Sequence, residues 1–196
     1  FSENFHKAKN FKNIGIEVGE VKLNFDKMMQ NKEKAVTVLT KGVEFLFKKN
    51  KVSYFKGIGA FKKDNEISIS ANGKETIIQT NKTIISTGSG PASLPGMEFD
   101  EKQILSSTGA LSLREVPKKM VVVGGGYIGL EMGSVWSRLG TQVEVIEFLD
   151  HITPGMDSEI SKEFEKILKK QGIKFQLNTK VEKITKNKNF VSIDTV

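Results

Sequence analysis

The 196 residues include no cysteine, so the chain can form no disulfide, offer no thiolate to a metal and use no cysteine nucleophile. Arginine is almost absent too: among 30 cationic residues only Arg114 and Arg138 are not lysine. Phosphate clamping and base readout favour the planar arginine fork. The 23 acidic residues are interleaved with the lysines, so the net charge of +7 reads as a solvated surface, and no nucleic-acid partner is expected. Apolar runs are short, such as 120–123. None approaches the roughly 20 residues a membrane span needs, so a soluble chain with no membrane partner is expected. No metal site is expected either. The chain opens on Phe1 rather than Met and without an apolar leader, as though cut from something longer.

What is present divides by period. Phe1, Phe5, Ala8, Phe11 and Ile14 recur at steps of three and four, which predicts a helix over 2–13. A longer helix is predicted over 24–49, capped by Asn24. Its apolar stripe is Phe25, Met28, Met29, Val36, Leu39, Val43, Leu46 and Phe47. From Lys51 the period becomes two, in "KVSYFKGIGAF", "NEISIS" and "KETIIQT", with Asn72-Gly73 between the last two. Asn-Gly between alternating segments signals a hairpin, so a three-stranded meander is expected. Next, "NKTIISTGSG" reads as a strand opening into a glycine-rich turn at Thr87-Gly88-Ser89-Gly90, where backbone can approach a ligand closely. Residues 91–117 carry three of the four prolines and no sustained period, and the domain boundary is placed there. Beyond come a strand over 119–123, a helix over 127–139, a strand in "TQVEVIEF", a helix over 157–171, and the pair "IKFQLNTKVEKI" and "FVSIDTV". Strand and helix in alternation predict an α/β fold with a parallel sheet.

The chemistry concentrates in "MVVVGGGYIGLEMG", residues 120–133. Gly124 ends an apolar strand and permits a tight turn, and Gly126 leaves room for a pyrophosphate. Gly129 and Gly133 let the following helix lie close on the strand. The helix N-terminus then offers free N–H groups to phosphate oxygens. Such a fingerprint needs an acid about 20 residues on for the ribose hydroxyls, and Glu147 stands 23 positions after Gly124. A carboxylate there repels a 2′-phosphate, and Phe148, Leu149 and Asp150 supply no arginine to attract one, so NAD is expected rather than NADP. Glu131 suits either the helix dipole or the nicotinamide end of the ligand.

A strand ending in "ISTGS" about 35 residues before a second dinucleotide motif resembles the FAD-dependent pyridine nucleotide-disulfide oxidoreductases. The likeness is carried also by "VKLNFDKMM", "KGVEFLFKKNKV", "GIGAF", "SSTGALSL", "PKKMVVVGGGYIGLEMGSVWSRLG", "VIEFL" and "KILKKQGIKFQLNTKV". The resemblance implies part of an FAD-binding domain over 1–117, made of helices and the β-meander. A Rossmann-type NAD-binding βαβαβ domain over 118–196 follows. It implies Gly59, Thr87, Gly88 and Ser89 as FAD contacts. For NAD it implies Gly124, Gly125, Gly126, Tyr127, Ile128, Gly129, Leu130, Glu131, Glu147 and Val181. Tyr127 stands where related reductases place an aromatic gate, though a packed or half-exposed aromatic reads equally well.

Within the family the likeness is to members that pass electrons from protein-bound dihydrolipoamide through a disulfide and FAD to NAD+. It implies the lipoyl domains of 2-oxo acid dehydrogenase complexes as partners and a homodimer in the full-length enzyme. The implied location is the mitochondrial matrix, or the cytoplasm for a bacterial source. Rival readings are another FAD/NAD(P)-dependent disulfide reductase and a non-catalytic nucleotide-binding or interaction module. The family's FAD fingerprint and CxxxxC pair are expected before Phe1, and its His-Glu acid/base pair after Val196. His6 and His151 match neither and read as surface or packing residues. By itself, then, the chain is expected to lack catalytic residues. Incubating the purified 196-residue chain with dihydrolipoamide and NAD+ should give no NADH absorbance, because no cysteine is there to form the redox disulfide.

Overall fold

Hydrophobic period decides the elements, and a computed structural model that describes residues 1–196 shows where they close into cores. Two compact units result, one formed by Phe1–Met28 with Pro91–Val196 and the other by Met29–Gly90. The fold is mixed α/β, with one parallel sheet and one antiparallel three-stranded sheet. In chain order the elements are α1 (Ser2–Lys9), a 3-10 turn (Phe11–Ile14), α2 (Phe25–Lys49), β1 (Ile58–Lys63), β2 (Glu66–Ala71), β3 (Lys74–Gln79) and α3 (Ser107–Ala110). They continue with β4 (Lys119–Val123), α4 (Tyr127–Leu139), β5 (Gln142–Ile146), α5 (Ser158–Lys170), β6 (Lys174–Gln176), β7 (Val181–Lys186) and β8 (Val191–Thr195).

The larger unit is built on the parallel sheet β4-β5-β6. Met120 pairs with Val143 and Val122 with Val145, so these four side chains share one face of the sheet. Onto that face pack Leu130, Trp136 and Leu139 of α4 and Leu168 of α5, together with Ile152 and Ile173. The opposite face carries a smaller cluster of Ile146 with Met97 and Val181, flanked by Ile184 and Ile193 of the β7-β8 hairpin. Asp157 starts α5 by accepting the N–H groups of Glu159 and Ile160, and Gly140 ends α4 at φ +113°, a conformation glycine adopts without a Cβ clash. The predicted first helix is shorter than expected. Asn10 turns its side-chain amide onto the His6 carbonyl at 2.8 Å, and the chain tightens into the 3-10 turn instead of continuing.

In the smaller unit the meander is as expected, with β1-β2-β3 antiparallel and Asn72 and Gly73 both at positive φ in a two-residue turn. Phe47 meets Tyr54 at 5.6 Å. Two expectations fail. Val36, Leu39, Val43 and Leu46 of the α2 stripe are exposed, and no strand forms over 81–90. Ile84 is 90% exposed and Ile85 70%. An extended segment becomes a strand only by exchanging hydrogen bonds with a neighbour, and none of the eight strands pairs with this one.

Asp100 ties the segment before α3 to the β7-β8 hairpin. Its carboxylate accepts the N–H groups of Ile104, Lys102 and Gln103, and its other oxygen meets Lys186 Nζ at 3.2 Å. Gln103 Nε2 adds a bond to the Asn187 carbonyl at 2.8 Å. The backbone donors, Ile104 first, hold the Asp100 carboxyl well below the usual carboxylate range. A depressed folded pKa stabilises above the unfolded value, near about 4, and that support is lost as pH falls toward the folded value. Thermal melts from pH 7 to pH 3 should therefore show a shallower acid-side loss of Tm in Asp100→Asn than in the parent chain.

Candidate functional site: a glycine turn held from below

The strand β4 delivers the chain into Gly124 at φ +99°, whose N–H donates to the Ile146 carbonyl at 2.8 Å. The turn thus begins as one more rung of the parallel ladder. Gly125 is buried and is gripped on both sides. Its N–H donates to Glu147 Oε2, and its carbonyl accepts the Thr153 N–H at 2.8 Å. Gly126 then caps α4 in an extended conformation, and no side chain caps the helix. The first N–H groups of a helix have no intrahelical partner, so this end is open to an anion.

Three glycines differ in what surrounds them. A Cβ at Gly126 would meet no protein atom within 4 Å, whereas one at Gly129 would stand 2.7 Å from Val122 Cγ1 and 3.1 Å from the Gly124 carbonyl oxygen. At Gly125 it would press on Glu147 Oε2 and Ile152 Cγ2, both at 3.1 Å. Gly129 is therefore bare because helix and strand touch there, Gly125 because the turn rests on Glu147, and Gly126 for no reason inside the protein.

Glu147 is only 8% exposed, unusual for a carboxylate. Beyond the Gly125 N–H it accepts the Leu149 N–H on Oε1 at 2.8 Å. Its own main chain bonds to Gln176 and Thr179, extending β5 into the next connection. Each carboxylate oxygen keeps a further lone pair, so two bound N–H groups leave acceptor capacity for hydroxyl donors. Tyr127 and Ile128 open α4 as residues 61% and 48% exposed, and Glu131 is exposed one turn on. Leu130 is wholly buried in the core with its N–H on the Gly126 carbonyl, so its side chain faces the sheet. Val181 begins β7 and packs against Ile146, the residue before Glu147. These ten positions thus all lie in the larger unit, most of them around the end of β5 and the start of α4.

Gly59, Thr87, Gly88 and Ser89 lie in the smaller unit. Gly59 is mid-strand in β1, opposite Ile69, and Gly88 sits at φ +76° in an exposed segment without regular structure.

Sequence reasoning missed Thr153. It sits at φ +51°, uncommon for a β-branched residue, and its hydroxyl meets Ser161 Oγ at 2.8 Å inside the protein. A Pro-Gly pair directly after it marks a turn, but nothing in the sequence says that the turn reaches Gly125. The contrast between glycines gives a stability test. Gly129→Ala should cost about 1–3 kcal/mol, a small-to-large change in a packed interface, while Gly126→Ala should cost less, about 0.5 kcal/mol from the poorer N-cap alone; paired thermal melts check the order.

Comparison with known proteins bears on the whole chain. Residues 3–196 match the family described as pyridine nucleotide-disulphide oxidoreductase. The mitochondrial dihydrolipoyl dehydrogenase of Pisum sativum is 54% identical over 92% of this chain and 36% of its own length. That of Homo sapiens is 51% identical over 94% of this chain and 37% of its own. The chain therefore spans little more than a third of the relatives it matches. Among solved structures, LpdA from Mycobacterium tuberculosis has a TM-score of 0.87 at 19% identity, covering 100% of this chain and 44% of that one, a likeness of fold. The flavoprotein disulfide reductase RclA from Escherichia coli has a TM-score of 0.73 at 28% identity, covering 88% of this chain and 40% of that one. With its glycine turn, its parallel sheet and a match over nearly every residue, the chain belongs to the pyridine nucleotide-disulphide oxidoreductase family.

Proposed function

We propose that the chain supplies the NAD site and part of the FAD site of a dihydrolipoyl dehydrogenase. That enzyme would oxidise protein-bound dihydrolipoamide with NAD+ as the E3 component of 2-oxo acid dehydrogenase complexes. The observation that carries the nucleotide reading is the α4 N-terminus. It has no side-chain cap, and at Gly126 it faces space where even a methyl group would touch nothing of the protein. A pyrophosphate fits there, received by the free N–H groups and the positive end of the helix dipole.

The residues then divide the work. Gly124, Gly125 and Gly126 bring backbone to the phosphates, and Gly129 lets α4 approach closely enough to do so. Glu147 receives ribose hydroxyls on the lone pairs that Gly125 and Leu149 leave free, and its charge disfavours a 2′-phosphate. Val181 supplies apolar surface on the adenine side. Tyr127, Ile128 and Glu131, exposed on the first turns of α4, face the nicotinamide half. In the smaller unit, Gly59 and the turn Thr87, Gly88 and Ser89 present backbone to FAD, and the positive φ of Gly88 suits a close approach. When bound, the two cofactors supply hydride transfer between flavin and nicotinamide. The protein's own part is to orient the rings and keep water away.

In this reading residues 1–117 belong to an FAD-binding domain and 118–196 to a Rossmann-type NAD-binding domain. The full-length enzyme works as a homodimer with lipoyl domains as partners. The mitochondrial relatives support a matrix location.

Trp136, the single tryptophan, is buried on α4 and reports NADH by energy transfer. Titration of the purified chain should show NADH bound more tightly than NADPH. Gly126→Ala should weaken NADH at least about tenfold, the effect of losing a charge-assisted contact or two. A preference for NADPH, or no binding of either, overturns the reading.

A further inference from the structure

A buried pair of hydroxyls lies beneath the glycine turn without belonging to it. Ser161, in the first turn of α5, is 1% exposed and Thr153 is 3% exposed, and their hydroxyl oxygens stand 2.8 Å apart. The Thr153 hydroxyl has one proton and donates it to the Ile152 carbonyl at 2.8 Å. Ser161 is therefore the donor between the two hydroxyls, and the hydrogen bonds run in one direction, from Ser161 to Thr153 to Ile152. A buried hydroxyl pair adds little that two apolar side chains of the same shape would not supply. The core around the pair does not account for it.

The backbone of Thr153 does. It sits at φ +51°, where a β-branched side chain crowds its own main chain and which glycine adopts without that penalty. Such a conformation persists only where the surroundings over-determine it. Three contacts do so here: the Thr153 N–H donates to the Gly125 carbonyl at 2.8 Å, the Thr153 carbonyl accepts the Met156 N–H at 3.1 Å, and Ser161 holds the side chain. Ser161 is fixed in turn, because its N–H donates to the Asp157 carbonyl at 3.0 Å and the Asp157 side chain caps α5. The first of the three contacts is one of the two that grip the Gly125 peptide.

We propose that Ser161 is a positioning residue for the dinucleotide site: it holds Thr153 in the left-handed conformation and so keeps the Gly125 peptide set for a pyrophosphate. The inference rests on the nucleotide reading above. Without the Ser161 hydroxyl, Thr153 relaxes toward ordinary φ in part of the molecules, and in those the Gly125 carbonyl loses its donor. Apparent affinity then falls by the fraction that keeps the turn. Replacing Thr153 by glycine removes the need for the hold, since glycine takes a positive φ freely and still offers its N–H.

The test compares four chains: the parent, Ser161→Ala, Thr153→Gly, and the two substitutions together. Two quantities are read, the dissociation constant for NADH and the hydrogen-exchange rate of the Gly125 amide in the free chain by NMR. Ser161→Ala alone should weaken NADH about fivefold, the worth of one hydrogen bond, and speed Gly125 exchange. Added to Thr153→Gly, the same substitution should move neither quantity. An effect of equal size in both backgrounds overturns the role of Ser161 and leaves the NAD site standing. So does weaker NADH with Gly125 exchange unchanged, or a lower melting temperature with both quantities unchanged, since the hydroxyl would then serve the fold alone. A Ser161→Ala chain that fails to fold has the same meaning. A parent chain that binds no NADH overturns both readings together.

Discussion

The peptide at Gly125 is the constraint on which the larger unit's site depends. Its N–H is held by Glu147 and its carbonyl by Thr153, so the two ends of one loop grip the two sides of one residue. A glycine turn left to itself has more backbone freedom than any other sequence, and a phosphate site made of loose N–H groups would lose affinity to the entropy of ordering them. Here the ordering is done before any ligand arrives. The grip also explains the burial of Glu147, whose carboxylate replaces lost water with two backbone donors. A turn written in glycines is therefore shaped by the loop beneath them.

Stability and binding separate along the same turn. Gly129 and Gly133 serve packing, because a Cβ at either would press on Val122 or Val143. A Cβ at Gly126 would meet nothing inside the protein, and the helix that Gly126 caps has no side-chain acceptor for its first donors. Natural helices commonly spend such donors on Ser, Thr, Asp or Asn, as α5 does with Asp157. With glycine as its N-cap, α4 forgoes only a few tenths, roughly 0.3 kcal/mol, of helix stability and leaves those donors without a side-chain partner. The contrast between these two helices of one unit is local evidence for binding that owes nothing to resemblance.

How much of this was legible in the sequence follows from the range of each interaction. The bounds of β4 and α4 could be read because apolar period, glycine spacing and helix ends are all local signals. Asn24 was legible as a cap for the same reason, and its side chain does accept the Lys27 N–H at 2.9 Å. The strand expected in "TIIS" was not secure, since a strand is a relation between two segments and its apolar run says nothing about where the second lies. The α2 stripe has the same weakness: Leu39 and Val43 have the right spacing for a buried face, yet spacing does not supply what would bury them. Glu147 was legible as an acid at the end of the second strand of the motif but not as the support of Gly125. That second role depends on a bond spanning 22 positions. Thr153 was invisible because its φ is set by the bond to Gly125 and the Ser161 hydroxyl, not by its own preference.

If Glu147 receives ribose hydroxyls as proposed, its hold on Gly125 constrains how such a site could change its cofactor. Admitting a 2′-phosphate by removing the carboxylate would also remove the acceptor beneath the Gly125 N–H, leaving a buried donor unpaired at a cost of about 1–3 kcal/mol. On the proposed NAD reading, specificity and the shape of the glycine turn would thus be tied through one side chain.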